Sequence, residues 1–321
     1  MAGSAALVSI VIPCWNAERF VLAAVMSALG QTYPNVEVVV VDDGSSDGSV
    51  DALAGVRERI TLISTPNRGA CAARNTGLEN ASGEYVKFLD ADDFLLPEAI
   101  AEQVKSAAAL GRREFTTGLA YNLWQHSGVI VPNFGQSPAG LRYSRLEDVA
   151  LEVPLISCPL HRRDAIEGIG GFRELPTRQD FDFFIRLLLE GYRPHNDFVP
   201  VFVYRHYSTG ARVSGRRSAE DFAVMAGMYR EYLEQLKQPA DEDERGLSRG
   251  LAKSAWITAR NALRAGYADV AQSLFGLARA FDAESCMKGT RSYRLAAKLL
   301  GPYHAERIGQ VARSFRSKEH G

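Results

Sequence analysis

The 321 residues are 46% hydrophobic and carry 37 basic against 38 acidic side chains, a formal net charge of −1. Such a chain can bury a large core plus a smaller appendage, which excludes a disordered protein. The balanced charge gives no global basic field, so no nucleic-acid partner is expected and any anionic ligand must be met locally. No apolar run approaches the ~20 residues that span a bilayer, and the start lacks a basic n-region, so a cytoplasmic protein is expected. Cys14, Cys71, Cys158 and Cys286 lie far apart and fit neither zinc-site spacing nor a disulfide framework, which predicts reduced thiols.

In chain order, Val8 to Ile12 reads as a buried strand broken by Pro13, Phe20 to Leu29 has helical spacing, and Val36 to Val41 is a β-branched run. Ile60 to Ser64 predicts a third strand, Gly69 to Ala81 a helix, Tyr85 to Leu89 a fourth strand and Pro97 to Leu110 another helix. This βαβ alternation predicts an α/β fold, a parallel twisted sheet with helices on both faces. Ligands in such sheets bind beyond the carboxyl ends of the strands. From Arg113 to about His206 shorter strands (Phe115 to Tyr121, Val129 to Val131, Val199 to Tyr204) surround a helix at Phe181 to Glu190. After Arg216 the chain turns helical, rich in Ala, Leu and Arg; Ala262-Leu263, Gly266, Ala271, Leu274 and Leu277-Ala278 read as one helical hairpin. The expected organisation is therefore residues 1–215, split into halves at about 112 and 113, followed by a helical region at 216–321.

The densest chemistry is Asp90-Ala91-Asp92-Asp93, three carboxylates within four positions at a strand tip. They repel one another unless a cation sits among them, and hard oxygen ligands suit Mg²⁺ or Mn²⁺ bridging a substrate diphosphate. A solvated acidic turn before the next helix is the alternative. Asp42-Asp43 ends the second strand, ahead of Gly44 and a loop in which Ser46 or Asp47 would cap a new helix. A strand-tip carboxylate there can accept from a base N–H or a ribose hydroxyl. Arg74 lies one turn into its helix between the two acidic loops, where its guanidinium could meet a diphosphate, or simply pack against the sheet. Neither a Gly-x-Gly-x-x-Gly nor a Gly-Lys-Ser/Thr motif is present.

Taken in order, Val8 to Asn16, Val41-Asp42-Asp43-Gly44-Ser45-Ser46-Asp47-Gly48, Arg74-Asn75-Thr76-Gly77 and Phe88-Leu89-Asp90-Ala91-Asp92-Asp93 resemble the signature of family 2 glycosyltransferases, over roughly residues 8 to 205. The resemblance implies a GT-A fold, a nucleotide-sugar donor, here expected to be UDP-linked, a divalent metal (Mn²⁺ or Mg²⁺) at the Asp-x-Asp, and inversion at the anomeric carbon. It assigns Pro13, Trp15 and Asn16 to the nucleoside pocket and Asp43 to the base. Asp92 becomes the principal metal ligand, and Asp90 supports it or reaches the ribose. Pro176 to Leu187 is similar to the family's Glu-Asp block, making Asp180 the general base, with Gln179 where Glu is usual. Gly170-Gly171-Phe172 resembles an acceptor-side turn, and Tyr204-Arg205-His206 falls where a basic side chain returns toward the diphosphate, which adds Arg205 to the donor set.

The residues themselves leave plainer readings open. Asp180 would equally cap a helix starting at Phe181, Asp182 reads as a solvated first-turn residue, and His161-Arg162-Arg163 as an exposed basic turn. Transfer to a glycan, glycolipid or protein hydroxyl, in polysaccharide, lipopolysaccharide or glycoprotein synthesis, is the expected activity. The rivals are a sugar-phosphate nucleotidyltransferase, which would want a Gly-rich phosphate loop instead of Pro13-Cys14-Trp15-Asn16, and a catalytically idle scaffold working through its helical tail. That tail ends in Arg291, Arg294, Lys298, Arg307, Arg313, Arg316 and Lys318, which predicts a peripheral membrane contact, a homo-oligomer contact or a solvated face.

Overall fold

The computed structural model describes residues 5–124, 127–133, 145–206 and 217–318, with backbone alone at 133, 307 and 309–318. The boundary expected at 215–216 and the side chains of Arg307, Arg313, Arg316 and Lys318 therefore lie outside the described residues. The chain forms two compact units, Met1–Ser144 with Val153–Leu175 and Gln179–Ala211, and Arg145–Glu152 with Pro176–Arg178 and Arg212–Gly321.

The first unit is built from β1 (Val8–Cys14), α1 (Val21–Leu29), β2 (Val36–Asp42), β3 (Thr61–Ser64), α2 (Ala70–Glu79), β4 (Tyr85–Phe88), β5 (Phe94–Leu95), α3 (Ala99–Ala107), β6 (Glu114–Trp124), β7 (Val129–Asn133), β8 (Pro159–Arg162), α5 (Arg163–Gly168), α6 (Gln179–Leu189) and β9 (Arg193–His206). Among the described residues nine strands share one sheet in the order β3-β2-β1-β4-β8-β6-β9-β5, with β7 on β6. Continuous runs of Val and Ile in β1 and β2 are buried because the sheet is covered on both faces: Ile10, Ile12, Val38 and Val40 pack to one side, Val11, Val39 and Val41 to the other.

Two expectations are corrected. The sheet is mixed, since β1, β2, β3 and β4 run parallel whereas β8 is antiparallel to both β4 and β6, and β5 to β9. Pro13 does not break β1 but pairs with Val41 inside it. Pairing to β4 stops at Val11, so beyond that point β1 has an open side where a missing N–H costs nothing.

Register places Cys14, Asp42 and Ser64 side by side, so the loops after β1, β2, β3 and β4 leave one edge of the sheet together.

The second unit gathers α4 (Leu146–Leu151), α7 (Ala219–Gln235), α8 (Glu242–Arg264), α9 (Ala268–Phe281) and α10 (Arg291–Lys318). Ser218 and Asp221 form a reciprocal capping box at the start of α7, and Asp241 caps α8. The helical hairpin expected around Gly266 is α8 on α9, with Trp256 edge-on to Phe275 at 4.7 Å. α4 packs so closely that a Cβ at Gly250 would lie 2.5 Å from the Glu147 carbonyl. Glu147 pairs there with Lys253 and with Arg249 at 3.1 Å. α10 is interrupted at Gly301 (φ 80°), next to Pro302. Among the described residues no helix is long and apolar enough to cross a membrane.

Candidate active site

The loop after β4 brings Asp90, Asp92 and Asp93 together, with one carboxylate oxygen of each within 4.8 Å of the others. Asp93 is buried and accepts the Arg205 backbone N–H at 2.9 Å. Burial, then Asp90 and Asp92, push its carboxyl well above the ordinary range, which is the electrostatic signature of a site that favours added positive charge. An all-carboxylate donor set is the hard-oxygen environment that Mg²⁺ or Mn²⁺ prefers, so these residues fit the implied ion.

Asp90 is tied to Asp180 through Arg74. Its Nη2 meets Asp90 Oδ1 at 2.7 Å and its Nη1 meets Asp180 Oδ1 at 3.4 Å. Burial alone would weaken the Arg74 charge, but Asp90 and Asp180 more than offset it, and the guanidinium stays fixed in its protonated state. Its plane lies over the Phe172 ring at 5.3 Å. Asp180 sits in a recess that leaves 43% of its side-chain surface accessible. Enclosure raises its carboxyl above the usual range, with Arg74 opposing and Asp90 adding to the rise.

Asp180 is not the cap of the helix, because α6 begins one residue earlier, at Gln179. The Gln179 amide Nε2 donates to the Leu175 carbonyl at 2.6 Å, a bond that the usual Glu could not donate when ionised. Asp182 is also corrected: it is fully buried, pairing with Arg186 Nε at 2.7 Å and Arg173 Nη1 at 3.5 Å.

Arg186 then donates from Nη1 to the Ile169 carbonyl at 2.6 Å and from Nη2 to that of Gly171 at 2.7 Å. The Asn75 side chain clamps the same turn from the other side, accepting from the Phe172 N–H and donating to its carbonyl, both at 2.8 Å. Gly170 and Gly171 hold φ of 72° and 69°. Phe172 is thereby stacked on Phe183 at 4.2 Å and placed under Arg74. Within the described residues the Gly170-Gly171-Phe172 turn carries the arginine that holds Asp90 and Asp180.

The second acidic loop is braced from within. Asp43 is buried, and its Oδ1 and Oδ2 accept the N–H groups of Arg68 and Gly69 at 2.9 and 2.7 Å, which fixes the entry to α2. Asn16, at φ 49°, accepts the Ser46 N–H at 2.8 Å and so ties the β1 loop to the β2 loop. Asp47 Oδ1 accepts the Ser49 N–H at 3.0 Å and so caps the turn ahead of the 3₁₀ segment Asp51–Arg59, while the residue before the segment itself is Val50. Trp15 beside Pro13 stands 56% exposed at this edge, a free ring face. The Arg205 guanidinium lies over Phe20 and Phe94, at 5.1 and 5.3 Å from their centroids, and His206 stacks on Trp124 at 4.1 Å.

The exposed basic turn expected at 161–163 does not exist. His161 is buried among Phe115, Phe183 and Phe184, and burial pushes its imidazole down to about 3. Arg162 pairs with Glu84 and Asp164, and Arg163 bonds the carbonyls of Leu78, in the last turn of α2, and of Ala81 just beyond it. The four cysteines are free and buried, and burial lifts the Cys14 and Cys71 thiols to about 11 and that of Cys158 to about 12.

Sequence reasoning missed Asn75, Asp182 and Arg186 as structural determinants, and with them Lys87. That side chain is fully buried in β4, donates to Gln103 Oε1 at 2.7 Å and the Cys158 carbonyl at 2.9 Å, and is pushed by burial down to about 7.

A family model described as Glycosyl transferase family 2 matches residues 9–125. The putative teichuronic acid biosynthesis glycosyltransferase TuaG of Bacillus subtilis is 34% identical over 192 residues, which cover 58% of this chain and 73% of that protein. An uncharacterized glycosyltransferase of Haemophilus influenzae is 41% identical over 102 residues, covering 30% of this chain and 41% of the relative, so the chain spans less than half of that protein's length. Among solved structures, S. aureus TarS 1-349 in complex with UDP-GlcNAc matches with a TM-score of 0.66 at 20% identity, over 97% of this chain and 92% of that one. The mannosyltransferase PcManGT from Pyrobaculum calidifontis, in complex with GDP-Man and Mn²⁺, matches with a TM-score of 0.54 at 21% identity, over 96% and 88%. The two structural likenesses show the GT-A fold.

Proposed function

The chain belongs to glycosyl transferase family 2, and from that premise we propose that it moves a sugar from a UDP-linked donor to a hydroxyl of a glycan, glycolipid or protein acceptor, with inversion. The observation that carries this reading is the set of three carboxylates within 4.8 Å of one another, joined through Arg74 to a fourth, Asp180. Asp92 and Asp90, with Asp93 behind them, would hold Mn²⁺ or Mg²⁺, which when bound offsets the charge on a diphosphate leaving group. Pro13, Trp15, Asn16 and Asp43 line the nucleoside side of the edge, and Arg205 faces the diphosphate.

Asp180 then accepts the proton of the acceptor hydroxyl as that oxygen forms its bond to the anomeric carbon. The bond between the anomeric carbon and the diphosphate oxygen breaks with its electron pair, and nucleoside diphosphate departs. A carboxyl raised above its ordinary range is a stronger base than a free aspartate. Arg74 keeps Asp180 and Asp90 in fixed relation, so base and donor site share one scaffold.

Thermal unfolding with UDP tests the donor site. UDP should raise the midpoint strongly with Mn²⁺ and little with chelator, and Asp92→Ala should remove the difference. Equal shifts with metal and with chelator would overturn the metal-bridged donor.

A further inference from the structure

The second unit carries a cleft of about 920 Å³ between the end of α8, the turn after α9 and the first segment of α10. Two of its cations are already paired, Lys253 with Glu147 and Arg260 with Glu306. Four others, Lys288, Arg291, Arg294 and Lys298, are exposed and form no ion pair among the described residues, against one acid, Glu284, on the same wall. Arg291, Arg294 and Lys298 recur at i, i+3 and i+7 and so form one stripe. Beside them on the same helix stand Leu295 and Leu299, four residues apart and exposed by 60% and 74%. The opposite side of the segment is closed by buried Ala297 and by Tyr293, over whose ring Arg260 lies at 4.0 Å. The break at Gly301 and Pro302 ends the segment there.

We propose that residues 288–300 are a membrane-surface site that takes the phosphates of an anionic phospholipid bilayer. The four cations meet headgroup phosphate, and the leucines enter the boundary between headgroups and acyl chains, while the long cationic side chains reach back to the phosphates. A soluble phosphate would use the cations and leave the adjacent Leu295 and Leu299 in water. A second copy of this chain would bring the same uncompensated positive charge against itself. An anionic bilayer satisfies both the charge and the apolar stripe, and no helix of the described chain could do so by crossing it.

Flotation of the full chain with phosphatidylcholine vesicles, with and without phosphatidylglycerol, tests the proposal. The chain should float with the anionic vesicles only, and less as salt is raised. R291E/R294E/K298E should weaken binding by roughly 100-fold or more, at about fivefold per cation removed. L295S/L299S should weaken it by at least about tenfold, and R291K/R294K, which keeps charge, should bind as wild type. Far-UV circular dichroism and unfolding midpoints unchanged in all three show that they fold, and make this outcome independent of the donor-site reading. Equal binding to neutral vesicles, no binding to anionic ones, or full binding by the charge-reversed variant would overturn the proposal. So would self-association that L295S/L299S abolishes while wild type ignores vesicles.

Discussion

Two aspartates one residue apart on α6 sit in opposite electrostatic regions. Asp182 lies in a dry pocket with two arginines, Arg173 and Arg186, and no accessible surface. Asp180 lies in a solvent-reached recess where a single arginine is divided between it and Asp90, with two more carboxylates nearby. In the first region the carboxylate charge is fully compensated, and the group works as a bracket for the turn at 169–172. The second is short of positive charge and gains from a cation and a substrate. The difference teaches that the residues left for chemistry are those whose charge the fold does not itself compensate.

The sharpest way to break the comparison is Asp180→Asn, which keeps shape but loses basicity. Turnover should fall by roughly 10²–10⁴-fold with donor affinity preserved, as steady-state rates and UDP binding would show. In the wild type, activity should fall as pH drops through the Asp180 pKa, and because that pKa is raised, the acid limb should lie above the ordinary aspartate range.

Asp182→Asn should do the reverse. It leaves Arg186 and Arg173 without their carboxylate, and breaking a buried pair costs about 3–5 kcal/mol. Denaturant unfolding should show that loss, with turnover per folded molecule close to wild type.

Gly171→Ala probes the bracket on a smaller scale. Its φ is 69° and an added Cβ would lie 2.6 Å from Asn75 Oδ1, so it should cost about 1–3 kcal/mol. Gly170→Ala, at φ 72° with nothing within 4 Å of the added atom, should cost less. Equal unfolding midpoints would remove Asn75 from the account of the turn.

Lys87→Met tests charge that the fold rejects. The folded pKa of about 7 lies below the unfolded 10.5, so between them the unfolded chain holds the extra proton. Wild-type stability relative to the variant should therefore rise with pH across that window, by at most about 1.4 kcal/mol per pH unit, and level off below about 7. A pH-independent difference would mean that Lys87 stays charged inside.

Legibility in the sequence followed the range of the interactions. Val36 to Val41 announces a doubly covered strand by itself, and Asp90 to Asp93 announces a cation site, because in each the information is contiguous. Lys87 gives no such signal: its partners Gln103 and Cys158 come from α3 and from the approach to β8. Asp182 reads as solvated because its surroundings are set by Arg173, outside its helix, as well as by Arg186 within it. β5 is two residues long and exists only because β9 runs beside it. α4 and Pro176–Arg178 belong to the helical unit although they lie well inside the first 215 residues, a division that no boundary drawn along the chain can express.

The most direct test of a single carboxylate acting as base is the anomeric configuration of the product. Proton NMR of sugar freshly released by donor hydrolysis, recorded before mutarotation, reads it without knowledge of the acceptor. Displacement with Asp180 as the one base predicts the anomer opposite to that of the donor. Release of the donor's own anomer would require a nucleophile and two displacements, and would contradict the account.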